Sequence, residues 1–459
     1  MPVVKMYSGC RALILKNACD IQEHSNTPWE EDVNMKKSAW FLPFALAIAG
    51  LAACTDKTPA RNDSDFQLDN GLTVILHPVK DAGSAALLTL FSIGERHDPE
   101  DKAGIAHVIE HLYVTAAAGA TPSRTVEQFV ARYPLGWNAQ TGADYTVVAT
   151  VFPKDRLDEE LTDASSRLSV LYVRKEDLSR ELPRIRQELI NMHRNVPMLA
   201  AQNTAYERIH GTKRGGDPDL IEALTLSEIR ERFEMYYKPA NAILVLAGDF
   251  DATTATAMIE KKFAGIASGE TIPDPPEKAT PSRPGPVAVN IPSPLPQFSP
   301  HVALAVGAPP PTDPLFPAFL IAAARFYKNA NRLGQAPDAF PVIYAPLDRP
   351  EILIVQRPVQ AREKGAVVEK RLRDFFAETM SAEWSAGDIL FAKQFFSHLL
   401  GFVDFPGKPQ DGQLYGIAFR LGRFRQMGVD SGRLLKKLES TTGEEFAAVK
   451  ENYFPALPD

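Results

Sequence analysis

The sequence predicts an α+β fold built as two similar domains, and three observations lead to that prediction. The chain has 459 residues, more than one hydrophobic core normally serves. Apolar runs of strand length alternate with helix-periodic stretches in both halves of the chain. Ten prolines lie between Gly269 and Pro300, a density that allows neither a helix nor a central strand and is typical of a semi-rigid extended linker.

The first half opens with a hairpin and continues as alternating strands and helices. In FQLDNGLTVILHP, the Asn70-Gly71 dipeptide suits the type I′ turn that joins two antiparallel strands. The apolar run SAALLTLFSIG predicts a buried strand, and a helix is expected from about Gly104. Further strands are predicted at 143–152 and 241–250, and further helices at 155–171, at 181–195 and in TTATAMIEKKFAGI.

The second half resembles a distant repeat of the first. In both halves a strand is followed by a glycine, an Asp-Pro dipeptide (Asp98-Pro99 or Asp313-Pro314) and a helix. Aligning the two dipeptides with one gap places Ile321-Ala322-Ala323-Ala324-Arg325 opposite His107–His111. The alternative is a chance match. If the repeat is real, the second half has kept the fold and has no metal-binding residues.

Charge and cysteine content exclude two broad classes of protein. The formal net charge is -7 and no basic block stands out, which argues against a nucleic-acid-binding protein. The three cysteines, Cys10, Cys19 and Cys54, all lie in the first 54 residues. The rest of the chain contains none, so no disulfide framework stabilises the folded part.

Residues 35–54 resemble a bacterial lipoprotein signal peptide. The stretch MKKSAWFLPFALAIAGLAAC has a charged start, an apolar segment too short for a permanent membrane helix, and an end that looks like a lipobox. We expect Cys54 to be the lipidated first residue of the mature protein and 55–65 to be a tether; the alternative is a short buried helix. Because no Asp follows Cys54, we expect an outer-membrane anchor that faces the periplasm of the cell envelope. Residues 1–34 are interpreted as a mis-assigned extension or, alternatively, an unusual leader.

The motif HVIEH, residues 107–111, predicts a metal site on the helix that begins near Gly104. Residues four apart lie on one helix face, so the imidazoles of His107 and His111 can bind one zinc ion. Glu110 lies beside them and can reach a metal-bound water, whose pKa zinc lowers towards neutrality. This order of residues is the inverzincin pattern. The alternative is a pair of core histidines that stand one turn apart.

The candidate for a third metal ligand lies in RELPRIRQELINMHRN. Glu181 and Glu188 are seven residues apart, so they share one face of a continuous helix. Because proline is tolerated only in the first turn of a helix, Pro183 predicts a helix that begins near Glu181. The alternative for both glutamates is a solvated charged face.

Beyond this motif, the chain resembles the pitrilysin/insulinase family of zinc metallopeptidases, which includes the mitochondrial processing peptidases. LDNGLTVIL is similar to the family's opening hairpin, and GERHDPEDKAGIAHVIEHL is similar to its strand, loop and metal-binding helix. WNAQTGADYTVVATVFP resembles its Asn-Ala-x-Thr segment, and YYKPANAILVLAGDFD resembles the last strand of its N-terminal domain. The likeness is strong over about 66–270 and extends in outline over 285–459.

The resemblance implies two homologous α/β sandwich domains of the metallopeptidase type, which form half of a clamshell. The zinc-bearing domain would span 66–268, the proline-rich linker 269–300, and an inactive peptidase-like domain 301–459. In the family, the half opposite the zinc supplies an Arg and a Tyr about two helical turns apart. No Arg between 285 and 459 is followed by a Tyr at that spacing.

The resemblance also implies roles for individual residues. Glu110 would be the general base, and Glu181 would support the site. Asn138 and Ala139 would lie on a strand edge that accepts an extended peptide, with Asn138 bonding the peptide backbone. Thr141 is expected to pack or to order the turn. The implied ligands of one zinc ion per chain are His107, His111 and Glu188.

The predicted function is therefore that of a zinc-dependent endopeptidase acting on peptides or unfolded protein segments. One alternative is an assembly or interaction subunit with a peptidase-like fold, and another is a zinc hydrolase with a different substrate. Because the Arg/Tyr pair is missing, we expect a heterodimer with a homologous chain that carries it. The alternative partner is a second copy of this chain, in which Arg325, Arg420 or Arg423 replaces the missing donor.

Overall fold

The computed structural model describes residues 64–211, 214–274, 285–333, 342–399 and 411–455. The predicted signal peptide with Cys54, the predicted extension before it and almost all of the predicted tether lie outside these residues. Within the part of the chain that is described, no helix is both long and apolar enough to cross a membrane.

The first sheet contains β1 (Ser64–Gln67), β2 (Thr73–Pro78), β3 (Ser84–Phe91), β4 (Gly136–Thr141), β5 (Thr146–Pro153) and β6 (Ala242–Gly248). Their spatial order is β1-β2-β6-β3-β5-β4, in which only the β2 and β6 pair is parallel. The predicted hairpin is confirmed, since Asp65 pairs with Ile75 across β1 and β2. The predicted type I′ turn is wrong, because that turn needs a positive φ at both central residues and only Gly71, not Asn70, has one. The strand predicted from SAALLTLFSIG is confirmed as β3, which is buried along its whole length because helices cover both faces of the sheet.

The described residues from Ile105 to Phe263 form seven α-helices. The helices predicted from about Gly104 and at 155–171 are confirmed as the first and third of them. These helices are α1 (Ile105–Thr115), α2 (Val126–Arg132), α3 (Leu157–Ser169), α4 (Lys175–Ile190), α5 (Pro197–His210), α6 (Leu226–Tyr236) and α7 (Ala252–Phe263).

The prediction that the helix of Glu181 and Glu188 begins near Glu181 is wrong. α4 starts at Lys175, two turns before the proline, so Glu181 lies in the body of the helix. Pro183 has no N–H to donate to the carbonyl of Ser179, and both residues are exposed. Water can satisfy that carbonyl, which explains why the helix accommodates a proline in its middle.

The second sheet contains β7 (Val287–Ile291), β8 (His301–Gly307), β9 (Val342–Ile343) and β10 (Ile352–Pro358). Their spatial order is β7-β8-β10-β9, and every neighbouring pair is antiparallel. β7 lies inside the stretch 269–300 that the prolines assign to a linker, so the assignment is wrong for these five residues. Its sequence VAVNI contains no proline, and its edge position leaves the flanking prolines outside the ladder.

A second core surrounds the helix that lies between β8 and β9 in the chain, α8 (Phe316–Asn329). Every residue from Phe316 to Phe326 in that helix is buried, and the helix packs against four later helices. The described helices of this half are α8 (Phe316–Asn329), α9 (Gly365–Ser381), α10 (Ala386–Leu399), α11 (Asp411–Gln426), α12 (Ser431–Ser440) and α13 (Gly443–Tyr453).

Each half of the chain places one helix on the sheet of the other half. α11 packs on β3 and β6, where Leu414 and Ala418 complete the core of the first sheet. In return, α5 packs on β7 and β8, where Ala201 and Ala205 contact the second sheet. Because each core needs a helix from the other half, neither half buries its own sheet alone.

Candidate active site

The helix that carries the HVIEH motif begins at a close contact between two glycine backbones. Gly104 precedes α1 with a φ of 106°, and a Cβ on Gly216 would lie only 2.3 Å from the Gly104 Cα. Glycine at both positions permits this approach, which brings the segment 214–217 against the first turn of α1. The buried carboxylate of Asp98 accepts hydrogen bonds from the N–H groups of Gly104 and Ala106 and caps the helix.

The two histidine rings of the motif each have an acceptor behind them. His107 Nδ1 lies 3.3 Å from the carbonyl oxygen of Gly215, and His111 Nδ1 lies 3.4 Å from Oε2 of Glu181. An acceptor at Nδ1 favours the tautomer in which Nδ1 carries the proton. In that tautomer, Nε2 is the atom of each ring that can bind a metal.

Glu188 brings a carboxylate to both Nε2 atoms, because α4 packs against α1. Its Oε1 lies 3.9 Å from His107 Nε2, and its Oε2 lies 3.8 Å from His111 Nε2. These separations are longer than a hydrogen bond and approach the ~3.4 Å expected between two ligand atoms of a tetrahedral zinc ion. Ligand atoms of His107, Glu110 and His111 also lie within 4.8 Å of one another. The structure thus brings the four residues and Glu181 together.

Carboxylates outnumber cations around the two rings. Burial opposes a charge on His111, but Glu181, Glu188 and Glu110 outweigh burial and raise the pKa of His111 to about 10. Burial also opposes a charge on Glu181, which would raise its pKa. His111 and two neighbouring arginines outweigh burial, so the pKa of Glu181 is lowered. A surplus of negative charge around two imidazoles favours a bound cation. Two imidazoles with a carboxylate are ligands that suit zinc.

Glu110 is held by a threonine that the sequence interpretation did not connect with it. Thr141 Oγ1 donates to Glu110 Oε2 over 2.6 Å, and both side chains are buried. Thr141 is the last residue of β4, and α1 packs beside that strand. The signal that could have found this contact is its place at the end of the Asn-Ala-x-Thr segment, on the same strand face as Ala139.

β4 is an edge strand of the first sheet, so its outer backbone groups have no strand partner among the described residues. Ala139 packs with Phe129 on the face towards α1. Asn138 points to the opposite face, where its Nδ2 donates to the Tyr415 hydroxyl over 2.7 Å. The structure therefore places the backbone of β4, and not the Asn138 side chain, beside the metal-ligand cluster.

The three arginines considered as replacement donors are buried within this chain. Arg325 pairs with Asp388 at 2.8 Å and donates to backbone carbonyls that follow α9. Arg423 is fully buried and lies 3.2 Å from Asp144, and Arg420 is buried as well. These contacts hold the guanidinium groups of Arg325 and Arg423 within this chain, and a role of the three arginines as replacement donors stays a prediction.

Two family descriptions match parts of this chain. The description "Insulinase (Peptidase family M16)" matches residues 74–208, which include the whole cluster. The chain belongs to the M16 peptidase family. The description "Peptidase M16 inactive domain" matches residues 223–331, and the two matches together span just over half of the chain. The first match contains the motif helix, and the second contains α8.

Individual relatives agree with this membership. Zinc protease PqqE of Helicobacter pylori is 28% identical over 217 residues, which cover 45% of this chain and 48% of that protein. The crystal structure of a protease from Helicobacter pylori matches with a TM-score of 0.70 at 18% identity, over 86% of this chain and 98% of that chain. The periplasmic protease PqqL from Escherichia coli matches with a TM-score of 0.61 at 17% identity, over 87% of this chain and 48% of that chain.

These matches confirm the predicted mixed α and β fold of two M16-like domains. The chain spans about half the length, or less, of the curated relatives that it matches. The structure of the first half of PqqL alone is covered over 92% of its length. This chain therefore corresponds in extent to one half of that longer protease.

Proposed function

We propose that this chain is a zinc-dependent endopeptidase that hydrolyses peptides or unfolded protein segments. The observation that carries the proposal is the convergence of His107 Nε2, His111 Nε2 and the Glu188 carboxylate, with an acceptor behind each ring. The relatives named zinc proteases support the same metal and the same class of reaction.

The donor set fits one zinc ion per chain. Two imidazoles and one carboxylate make three protein ligands, the number with which catalytic zinc sites keep one position open. A zinc ion held there would supply Lewis acidity and lower the pKa of a coordinated water. Gly215 and Glu181 would hold the rings of His107 and His111 in orientation from behind.

Glu110 is the residue that we assign to proton transfer. It lies beside the ligand atoms of both histidines, within reach of a water placed between them. Its Oε2 accepts a hydrogen bond from Thr141, so Oε1 is the oxygen assigned to take the proton of the attacking water. The same carboxyl group can then return that proton to the leaving amine.

The edge of β4 is the surface that we assign to the substrate. An extended peptide can add to this edge as a further strand, which uses backbone hydrogen bonds and needs no particular side chain. A helix or a central strand cannot present its backbone in this way, because its backbone hydrogen bonds are already made. The substrate class is therefore peptides and unfolded segments.

The test of this function is Glu110→Gln in the purified protein, combined with its partner chain where turnover needs it, with a quenched peptide as substrate. Zinc content should stay at the wild-type value, because Glu110 is not among the ligands, while cleavage should fall by roughly 10²–10⁴-fold. The matched control is Glu260→Gln, which changes an exposed glutamate of α7 and should leave both values unchanged. Cleavage by Glu110→Gln at the wild-type rate would reject the mechanism.

We further propose that activity needs a second chain. Hydrolysis requires a donor that stabilises the oxyanion, and the arginines weighed for this role are buried. The match in extent to one half of PqqL supports a partner that supplies the other half. We favour a homologous chain that carries the Arg/Tyr pair, with a homodimer as the alternative.

The purified chain should therefore bind zinc but cleave poorly, and a homologous second chain should restore turnover. Cleavage and molecular size are measured in the same sample. Strong turnover by a strict monomer would refute the two-chain assembly. Strong turnover by a homodimer would refute only the need for a different partner.

We also propose that the protein is anchored in the bacterial cell envelope and faces the periplasm, with the outer membrane as the favoured site. The lipobox-like end of 35–54 supports an anchor at Cys54, and the description of PqqL as periplasmic supports the compartment. Mass spectrometry should find a lipidated N-terminus at Cys54 in the wild type and none in Cys54→Ser. An intact Met1 on a cytoplasmic protein would reject this proposal.

A further inference from the structure

The segment 138–145 runs from β4 through the turn into β5, and its two faces meet different halves of the chain. Thr141 faces α1, and its hydroxyl donates to Glu110. Successive residues of a strand point to opposite faces, so Asn138 and Gln140 point away from α1. On that side they meet residues of the second half. The second half can therefore influence Glu110 without touching it.

The first contact comes from α11. The hydroxyl of Tyr415 accepts a hydrogen bond from Asn138 Nδ2 at 2.7 Å. α11 lies close to the sheet, because a Cβ on Gly422 would be only 3.3 Å from Cδ2 of Leu88. The helix cannot move away from the sheet without opening the core that Ala418 completes. Tyr415 is thus held at a fixed place beside β4.

The second contact comes from Asp348, which lies just before β10. Its Oδ1 accepts hydrogen bonds from Gln140 Nε2 and from the Tyr145 hydroxyl, the latter over 2.6 Å. Gln140 Nε2 also lies 2.7 Å from the Tyr145 hydroxyl, which accepts from it. These three side chains form a closed set of hydrogen bonds. The set joins β4 and the start of β5 to the second half.

The third contact holds the turn itself. The guanidinium of Arg423 lies 4.0 Å from the centre of the Tyr145 ring and 3.2 Å from Oδ1 of Asp144. Gln426 Nε2 donates to the backbone carbonyl of Asp144 over 2.7 Å. Arg423 is fully buried, so water competes little for these contacts. Both the side chains and the backbone of the turn are therefore tied to α11.

We propose that the second half is a positioning element for catalysis: Tyr415, Asp348 and Arg423 fix the segment 138–145, and this segment orients Glu110 through Thr141. The proposal rests on the proposed role of Glu110 as the general base. All three residues act through another residue, so they are positioning residues.

The link between Thr141 and Glu110 is tested with Thr141→Val, which removes the hydroxyl and keeps the shape, and with Thr141→Ser, which keeps the hydroxyl. In the zinc-loaded protein, with its partner chain where turnover needs it, Thr141→Val should lower kcat by about 10- to 100-fold, as expected for a hydrogen bond to a charged group. KM should change by less than about threefold, because uniform substrate binding is retained. Thr141→Ser should restore most of kcat.

A crystal structure of Thr141→Val supplies a readout that does not need activity. The Glu110 carboxylate should leave its position beside residue 141 or become disordered. A Glu110 side chain that keeps the wild-type position in Thr141→Val would overturn this link. So would a kcat equal to that of the wild type.

The link between the second half and the segment 138–145 is tested with Asp348→Ala and with the milder Tyr415→Phe. Hydrogen exchange of the backbone amides in this segment should become about tenfold faster in Asp348→Ala and about fivefold faster in Tyr415→Phe, since each loses contacts that oppose local opening. kcat should fall in the same order, with KM nearly unchanged. The matched control is Tyr327→Phe, which removes a tyrosine hydroxyl bonded to Tyr344 elsewhere in the second half.

Tyr327→Phe should leave the exchange of 138–145 and kcat at wild-type values. Unchanged exchange of 138–145 in both Asp348→Ala and Tyr415→Phe would overturn the proposal, and equal effects from the Tyr327→Phe control would do the same. If the wild-type assembly shows no zinc-dependent turnover, the proposed function fails. The exchange and crystallographic results then still decide whether the second half fixes the segment and whether the segment orients Glu110.

Discussion

Helices α1 and α8 follow the same local pattern in the two halves, yet only α1 presents metal-binding side chains. Each follows a buried strand, a glycine and an Asp-Pro dipeptide. In both, the aspartate accepts a backbone N–H near the helix start: Asp98 from Gly104 at 2.9 Å, and Asp313 from Leu315 at 2.7 Å. The same local design therefore leads into a polar cluster in one half and an apolar core in the other.

The residues of α8 that align with the motif are part of the second core. Residues 321–324 are almost completely buried among apolar neighbours. Arg325 pairs with Asp388 and lies 4.8 Å from the centre of the Phe446 ring. The position of the helix alone therefore does not make a site. α1 also needs the glutamates of α4 and the carbonyl of Gly215, which approach it from two other parts of the first half.

The largest effect that would test this contrast is on stability. Arg325→Ala should lower the free energy of unfolding by about 3 kcal/mol, because the buried Asp388 keeps the Ser385 hydroxyl but loses its close cation, leaving the more distant Lys328 at 3.4 Å. Denaturant unfolding measures it, and zinc content should not change. The control Arg371→Ala breaks a half-exposed pair with Glu363 and should cost less than about 1 kcal/mol. A loss of zinc in Arg325→Ala would contradict the division of roles between the two helices.

Local periodicity and the Asn-Gly hairpin signal predicted several elements of the first half well. The Asn70-Gly71 hairpin, the buried β3 and the motif helix all stand where the sequence placed them. The spacing of Glu181 and Glu188 predicted one helix face, and the structure turns both towards the histidines. These features depend on residues a few positions apart, which is why the sequence alone can specify them.

What the sequence did not predict depends on distant residues. Thr141 reaches Glu110 across 31 positions, and only its place at the end of the Asn-Ala-x-Thr segment points to that contact. Gly215 reaches His107 across 108 positions, with no local pattern to mark the contact. The packing of α5 on the second sheet and of α11 on the first sheet also depends on residues far apart in the sequence. The helix start predicted from Pro183 was wrong because the energetic cost of a proline inside a helix depends on whether water reaches the unpaired carbonyl. That exposure is a property of the folded chain.

A medium effect is expected where the segment 214–217 meets α1. Gly216→Ala places a Cβ 2.3 Å from the Gly104 Cα at a φ of 101°, so it should cost about 2 kcal/mol of stability and weaken zinc binding by moving Gly215 away from His107. Zinc competition with a chelator measures the second part. Gly211→Ala is the control, because its φ is also positive but, apart from its chain neighbours, no atom of the described residues lies within 4 Å of the new Cβ. Unaltered zinc affinity in Gly216→Ala would show that the Gly215 carbonyl does not support His107 in zinc binding.

The smallest effect concerns the dipeptide in the second half. Asp313→Ala should cost about 1 kcal/mol, the usual value of one hydrogen bond from a side chain to a helix start, and zinc binding should stay unchanged. Thermal unfolding and zinc content measured on the same preparation check both parts. A change in zinc content would mean that the second half takes part in metal binding.

The first half alone is expected to hold the metal, through His107, His111 and Glu188. This expectation is tested by the zinc content of the purified chain, measured by mass spectrometry of the element. The wild type should hold about one zinc ion per chain, and the double variant His107→Ala/His111→Ala should hold almost none. The control His77→Ala/His301→Ala removes two histidines outside the cluster and should keep the wild-type content. Full zinc occupancy in the His107/His111 variant would contradict the account.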